Sequence, residues 1–161
     1  MDFLELARER YSERFFDSRP IEQQKLDRIL EAGRLVPTAC NYQPQKFYLI
    51  RRPEAMAKLK TVTNFHYNAP LMILICYDLR QVWTNPADRY YQNYNSGEQD
   101  ASIAATTMMY EAEEQGIFAL HLTTSVRISW NICRNRSAVL SMQTEEPGRA
   151  EESLPCSHIK S

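Results

Sequence analysis

Two prolines, Pro37 and Pro44, set the strongest constraint on how this chain folds. Each proline fixes its own φ and biases the residue before it away from the α region, so the helical pattern that precedes Pro37 has to end there. Short polar side chains lie between the prolines, and an apolar run, residues 47–50, follows. A helix that ends in a rigid polar turn before a buried strand can present hydrogen-bond groups to a planar ligand. An ordinary connection between a helix and a strand is the alternative.

The chain has 161 residues, which suits one domain with its own core. A net charge of -1 gives no reason to expect nucleic acid or an anionic membrane as the main partner. The longest apolar run, residues 69–77, is too short to span a bilayer, and the acidic N-terminus is unlike a targeting segment. We therefore expect a cytoplasmic protein without nucleic-acid or membrane partners.

The cysteines and histidines are scattered, without a Cys-x-x-Cys pair or histidines on one helix face, so we expect neither a structural zinc site nor a disulfide framework. The glycines are equally informative: Gly33, Gly97, Gly116 and Gly148. Neither G-x-G-x-x-G nor a P-loop fits this spacing. Side chains would therefore have to bind any nucleotide-like phosphate.

A candidate for that role lies near the N-terminus, where Arg10 and Arg14 flank Ser12. Guanidinium groups and a hydroxyl that converge on one spot suit a phosphate, which accepts bidentate, charge-assisted hydrogen bonds. The alternative is a solvated charged face closed by the aromatic pair Phe15 and Phe16.

Apolar periodicity predicts four helices and two strands. The helices cover residues 2–10, 22–35, 53–60 and 100–116, and the strands cover residues 46–51 and 71–76, the second buried on both faces. The last helix has a face of small residues around Ala104 and ends at Gly116. That face fits either a plain core helix or a self-association interface.

Between residues 78 and 99 the chain becomes polar and aromatic, with Trp83, Tyr90, Tyr91 and Tyr94. This stretch fits either a mobile cover over a pocket or a loop packed on a partner subunit. Residues 118–130 still fit a strand, but from Arg134 onward no apolar period is sustained.

Taken together, these features resemble the FMN-dependent nitroreductase family. The family pattern Arg-x-Ser-x-Arg-x-Phe stands here as Arg10, Ser12, Arg14 and Phe16. A second pattern, a Pro-Ser/Thr-x-x-Asn-x-Gln-Pro turn before an aromatic strand, stands as Pro37, Thr38, Asn41, Gln43, Pro44 and Phe47. The strand after Ala69-Pro70 and the helix 100–116 follow in the family order. The resemblance covers roughly residues 3–117.

The resemblance implies an α+β fold, with a central, mostly antiparallel sheet flanked by helices, in an intertwined homodimer that holds two FMN molecules at its interface. Arg10, Ser12 and Arg14 would bind the phosphate end, with Tyr11 contributing backbone. From the other subunit, Pro37, Thr38, Ala39, Asn41 and Gln43 would line the isoalloxazine. Asn64, or in its place Asn68, would approach the flavin. The helix around Ala104 and Met108 would form the dimer core.

The activity that this resemblance implies is hydride transfer from NADH or NADPH to the flavin N5, and from there to a nitroaromatic, a quinone or a similar acceptor. The cofactor carries that chemistry, so no catalytic acid or base is expected from the protein. Two alternatives remain: a non-catalytic, cofactor-poor dimeric relative, and an enzyme of this fold that consumes FMN.

The family pattern stops after Ile117. The strands, the turn and the basic Lys-x-Arg that would complete the phosphate site have no counterpart in residues 118–161. We therefore predict an FMN-binding domain over residues 1–117, followed by a divergent or frameshifted, partly disordered segment over residues 118–161.

Overall fold

A computed structural model of the chain describes residues 2–62, 66–87, 89–90 and 94–121. In chain order its elements are α1 (Phe3–Glu9), α2 (Gln23–Arg34), β1 (Gln45–Ile50), α3 (Pro53–Val62), β2 (Met72–Tyr77) and α4 (Gly97–Glu114). A short 3₁₀ turn, Ala39–Asn41, lies between α2 and β1. This mixture of helices and strands confirms the predicted α+β class.

β1 and β2 pair antiparallel, with Gln45 opposite Tyr77 and Ile50 opposite Met72. Within β2 every residue except Ile73 is buried. Such continuous burial needs cover on both faces of the strand, as the unbroken apolar run predicted. Because the backbone N–H of Asp78 donates to Pro44 O (2.9 Å), the end of β2 is also fixed to the start of β1.

The core is closed by α2 and α4. The buried stripe of α2 is Leu26, Ile29, Leu30 and Gly33, as its spacing predicted. Gly33 makes a close approach to α4, since a Cβ at this position would lie 2.5 Å from Met108 Sδ. The two helices therefore pack more closely than a side chain at position 33 would allow.

The small-residue face of α4 is occupied within the single chain, where Ala104 is 0% exposed and Met108 is 4% exposed. Because α2 and the sheet cover this face, a dimer core on α4 would have to use another face of the helix, and the predicted homodimer stays a prediction. The opposite face carries Ile103, which is 40% exposed.

The ends of α4 differ in how well they were predicted. The helix begins at Gly97, three residues before the predicted start, so Asp100 lies in its first turn. At the other end the chain leaves the helix at Gly116, whose φ of 67° lies in the left-handed region that glycine adopts most easily. The predicted stop is thus confirmed.

α1 is a short helix that packs on α4. Asp2 caps it, accepting hydrogen bonds from the N–H groups of Leu4 and Glu5, while the Glu5 side chain accepts the N–H of Asp2. None of its residues is buried, and its ring contact is between Phe3 and Tyr110, 5.4 Å between centroids. α1 therefore lies beside the second half of α4.

None of the helices in the described ranges is both long and apolar enough to cross a membrane. The cytoplasmic location stays a prediction, and so does the boundary between residues 117 and 118. Of the C-terminal segment, residues 118–121 are described and residues 122–161 lie outside the described ranges.

Candidate functional site

The turn between α2 and β1 adopts a strained backbone. Cys40, Asn41 and Gln43 have φ values of 50°, 56° and 48°, in the left-handed region that residues other than glycine rarely enter. Thr38 closes the turn on itself: its Oγ1 accepts the N–H of Gln43 (3.0 Å) and its carbonyl accepts the N–H of Asn41 (2.9 Å). Because each left-handed residue costs free energy, the surrounding structure must hold the turn in place.

Asp100 supplies part of that support. It is 2% exposed, and its Oδ1 accepts the backbone N–H of Ala39 at 3.0 Å. Its Oδ2 accepts the hydroxyl of Ser96 at 2.7 Å. The helical pattern of the sequence predicted Asp100 only as the start of a helix and did not predict this contact. The one available signal was an acidic residue on an otherwise apolar helix face.

The aromatic segment, residues 78–99, brings Trp83 close to Ser96, the hydroxyl partner of Asp100. Thr84 and Asn95 form an antiparallel bridge, Ser96 N–H donates to Trp83 O (3.0 Å), and the rings of Trp83 and Tyr94 lie 6.1 Å apart. Tyr90 is 91% exposed, and the predicted cover residue Tyr91 lies outside the described ranges. The two ends of the candidate cover thus meet next to the N-terminus of α4.

The arginine segment, residues 10–19, lies at the other end of α4. Ser12 forms a parallel bridge with Ala119, and Glu13 N–H donates to Ala119 O (3.3 Å). Arg14 is exposed, and its Nη1 donates to Ser12 O (3.2 Å). Tyr11 packs against the ring of Phe118, 5.4 Å between centroids. The chain that follows Gly116 therefore fixes this segment in space.

Two glutamates shape the electrostatics of the arginine segment. The hydroxyl of Tyr11 donates to Glu13 (2.8 Å) and lowers the pKa of that carboxyl. Burial, and then the negative charge of Glu9, raises the pKa of Glu113, while the positive charge of Arg10 acts in the opposite direction. Arg10 therefore faces a partly buried carboxyl group within its own chain.

The two candidate motifs do not meet within one chain. The turn contacts Asp100 near the N-terminus of α4, whereas Arg10 lies near Glu113 at its C-terminus. Thirteen residues of helix between these contacts correspond to about 20 Å. Within one chain the two motifs therefore lie at opposite ends of α4.

A third predicted component is not described. Asn64 lies outside the described ranges, while the alternative, Asn68, is exposed with a φ of 58° and donates its N–H to His66 Nδ1 at 3.1 Å.

A cavity of about 590 Å³ lies between α2, β2, α4 and residues 117–121. The nine predicted flavin residues that are described do not line it. Its wall includes His121, whose pKa is lowered by burial and whose Nε2 is buried without a hydrogen-bond partner among the described residues. His121 is the last described residue, so the described lining of this cavity ends with it.

Comparison with known proteins decides the family. The model of the Nitroreductase family matches residues 7–64, which include both motifs. A crystal structure of a nitroreductase family protein from Clostridium difficile is 38% identical, with a TM-score of 0.70, over 76% of this chain and 68% of that chain. This chain belongs to the nitroreductase family. The predicted nitroreductase-like fold is thereby confirmed.

Other nitroreductase relatives are more distant. A curated protein from Methanothermobacter thermautotrophicus, provisionally named NADH dehydrogenase/NAD(P)H nitroreductase, is 27% identical over 74% of this chain and 60% of its own length. A provisionally named nitroreductase from Desulfovibrio desulfuricans, solved in complex with FMN, is 25% identical with a TM-score of 0.61, over 74% of this chain and 66% of that one. Our chain spans about 60% of the length of the curated relatives that it matches.

The arginine segment of this nitroreductase-family chain carries side chains of the types that bind phosphate groups. Arg14 is exposed, and among the described residues its guanidinium donates only to Ser12 O, so further donors of the fork face solvent. Arg10 and the Ser12 hydroxyl belong to the same segment. Two guanidinium groups and a hydroxyl form a donor set for a dianionic phosphate that requires no glycine loop.

Proposed function

We propose that this chain is an FMN-dependent oxidoreductase that takes electrons from NADH or NADPH and passes them to a nitroaromatic, a quinone or a similar small acceptor. Three observations support the proposal. The family-matched region contains both motifs, the curated relative carries an NAD(P)H nitroreductase name, and the Desulfovibrio neighbour was solved with FMN.

The observation that carries the proposal is the location of the two motifs at opposite ends of α4. In a two-fold symmetric dimer whose α4 helices run antiparallel, the arginine segment of each copy meets the turn of the other. Such a dimer would contain two equivalent sites, each built from both copies. We therefore include a homodimer with shared FMN sites in the proposal.

Exposed apolar side chains on α1 and on the outer face of α4 support this dimer. Phe3 is 65% exposed and Leu4 is 62% exposed, although both belong to an amphipathic helix that buries none of its residues in its own chain. Ile103 adds a third exposed apolar side chain, on the outer face of α4. A second copy that covers these groups would remove their apolar surface from water.

Within this proposal the side chains bind and orient. Arg10, Ser12 and Arg14 would hold the phosphate, and the turn at residues 37–43 would line the ring system. FMN, when bound, supplies the hydride-accepting and hydride-donating chemistry. We assign no acid or base to the protein, because cofactor chemistry of this kind requires positioning and polarity from its surroundings rather than proton transfer by a side chain.

The direct test is a titration of the purified full chain with FMN, followed by visible absorption, fluorescence and gel filtration. We expect uptake of FMN by a dimer and, in the loaded protein, oxidation of NADH or NADPH when an acceptor is present. Arg14→Ala should weaken FMN binding by about 1.5–3 kcal/mol, the range for a hydrogen bond to a charged group.

Arg19→Ala is the matched control. Arg19 belongs to the same segment, but it is paired with Asp17 at 2.6 Å and its side chain is 87% exposed. Its removal should leave FMN affinity unchanged. If the wild-type protein does not bind FMN, the alternative of a cofactor-poor relative is favoured. If bound FMN is destroyed, the flavin-consuming enzyme is favoured. Equal FMN affinities of Arg14→Ala and wild type would exclude the arginine segment from the site.

A further inference from the structure

We propose that Asp100 is a positioning residue, which holds the turn at residues 38–43 in its strained conformation and joins it to the base of the aromatic segment. The relevance of this role to a flavin rests on the proposed function. The structural role itself does not, because it follows from contacts within one chain.

The Asp100 carboxylate and its hydroxyl partner are buried. Asp100 is 2% exposed and Ser96 is 3% exposed, so water does not compete for the hydrogen bonds of this carboxylate. One carboxylate oxygen accepts the N–H of Ala39 and the other accepts the hydroxyl of Ser96. A buried carboxylate with a donor on each oxygen is strongly oriented, since the loss of either donor would leave charge without compensation.

The backbone that Asp100 supports is strained. Ala39 directly precedes the two left-handed residues Cys40 and Asn41. Thr38 closes the turn locally, but its own bonds reach only Asn41 and Gln43 within the turn. The bond from Ala39 N–H to Asp100 spans 61 residues and ties the strained backbone to the long helix α4. Asp100 thus provides the external support that such a conformation needs.

Asp100 also connects the turn to the aromatic segment. Ser96, which donates to Asp100 with its hydroxyl, also donates its backbone N–H to Trp83 O at 3.0 Å. A chain of three hydrogen bonds therefore runs from Ala39 through Asp100 and Ser96 to Trp83. The backbone at Trp83 and the backbone of the turn are therefore joined by hydrogen bonds through one carboxylate.

The test uses hydrogen exchange of the full chain, without flavin, at the backbone amides of Asn41 and Gln43. These amides are bonded to Thr38 rather than to Asp100, so they report on the turn and not on the deleted contact. The variants are Asp100→Ala and Asp100→Asn, with Glu98→Ala as the matched control, because Glu98 is an exposed acid in the same first helical turn. Amides of β1 serve as a reference for global unfolding.

In Asp100→Ala we expect exchange at Asn41 and Gln43 to accelerate by about tenfold to a hundredfold, the ratio that corresponds to one lost hydrogen bond to a charged group. Asp100→Asn should remain within about threefold of wild type, since its amide oxygen still accepts the Ala39 N–H. Glu98→Ala should not differ from wild type. Unchanged exchange in a folded Asp100→Ala, or equal acceleration in β1, would overturn the positioning role.

If Asp100→Ala does not fold, Ser96→Ala decides. This variant keeps the charge and removes one donor, and we expect exchange at the turn to rise severalfold relative to β1. No local rise would overturn the proposal. A parallel FMN titration separates the two claims. If the wild type does not bind FMN, the proposed function is contradicted and the exchange result still stands. If the wild type binds FMN but exchange at the turn is unchanged in the variants, only the role of Asp100 is contradicted.

Discussion

Glu113 is one residue through which pH should act on the stability of the fold. Burial and the neighbouring Glu9 raise its pKa, so the folded chain holds this proton more tightly than the unfolded chain does. Its contribution to stability is therefore fully present below the ordinary pKa of a glutamate and is lost as the pH rises through the raised pKa.

We predict that Glu113→Gln is more stable than wild type near pH 7, by less than about 1 kcal/mol because the group is partly solvated. The difference should disappear below about pH 4, where the wild-type carboxyl is protonated in both states. Urea unfolding at the two pH values measures this. Glu114→Gln, an exposed neighbour, is the control, and a stability gain for Glu113→Gln that persists in acid would show that charge is not the cause.

At the same scale, the sequence predicted which residues form the turn but not how it is held. Prolines and short polar residues indicate a turn from local chemistry alone. The left-handed φ values at Cys40 and Asn41, and the bond from Ala39 to Asp100, depend on a residue 61 positions away. No local pattern encodes such a partner.

At the scale of elements, the packing of α2 on α4 depends on Gly33. Alanine is the better helix former by about 1 kcal/mol, but its Cβ would lie 2.5 Å from Met108 Sδ and 3.0 Å from Phe47 Cζ. Because Met108 is 4% exposed, it has little room to move. Overpacking of this kind costs about 1–3 kcal/mol.

We therefore predict that Gly33→Ala lowers the free energy of unfolding by up to about 2 kcal/mol, after the gain of about 1 kcal/mol in helix propensity is subtracted from the cost of overpacking. In Met108→Ala the shortened side chain leaves space for a Cβ at position 33. Adding Gly33→Ala to Met108→Ala should therefore lower the free energy of unfolding by less than adding it to the wild type. Denaturant unfolding measures all three. A stabilised Gly33→Ala would mean that the two helices can separate without cost.

The elements themselves were well predicted because periodicity is strong where one face is buried. The stripe of α2 and the unbroken apolar run of β2 reflect burial directly. The start of α4 was placed three residues late, because Ser96 and Gly97 read as loop residues in isolation although Gly97 begins the helix in the folded chain. The small-residue face of α4 predicted close packing but not which neighbour provides it.

At the scale of the whole molecule, the central claim is that one chain holds two half-sites about 20 Å apart and that a second copy completes each of them. Sequence alone indicated both halves through their motifs. Their separation depends on which end of α4 each half contacts, and this is a property of the folded chain. The claim therefore requires a test in which two chains contribute different halves.

The measurement that tests it most directly is subunit complementation. Arg14→Ala damages the arginine segment, and Ala39→Trp places an indole on the turn at a position that is not among the left-handed residues of the structure. Each variant alone should bind little FMN. When differently tagged copies of the two are co-expressed, mixed dimers contain one intact site, and random pairing should restore about one quarter of wild-type FMN capacity. A mixture that contains mixed dimers yet binds no more FMN than the separate variants would contradict the shared site.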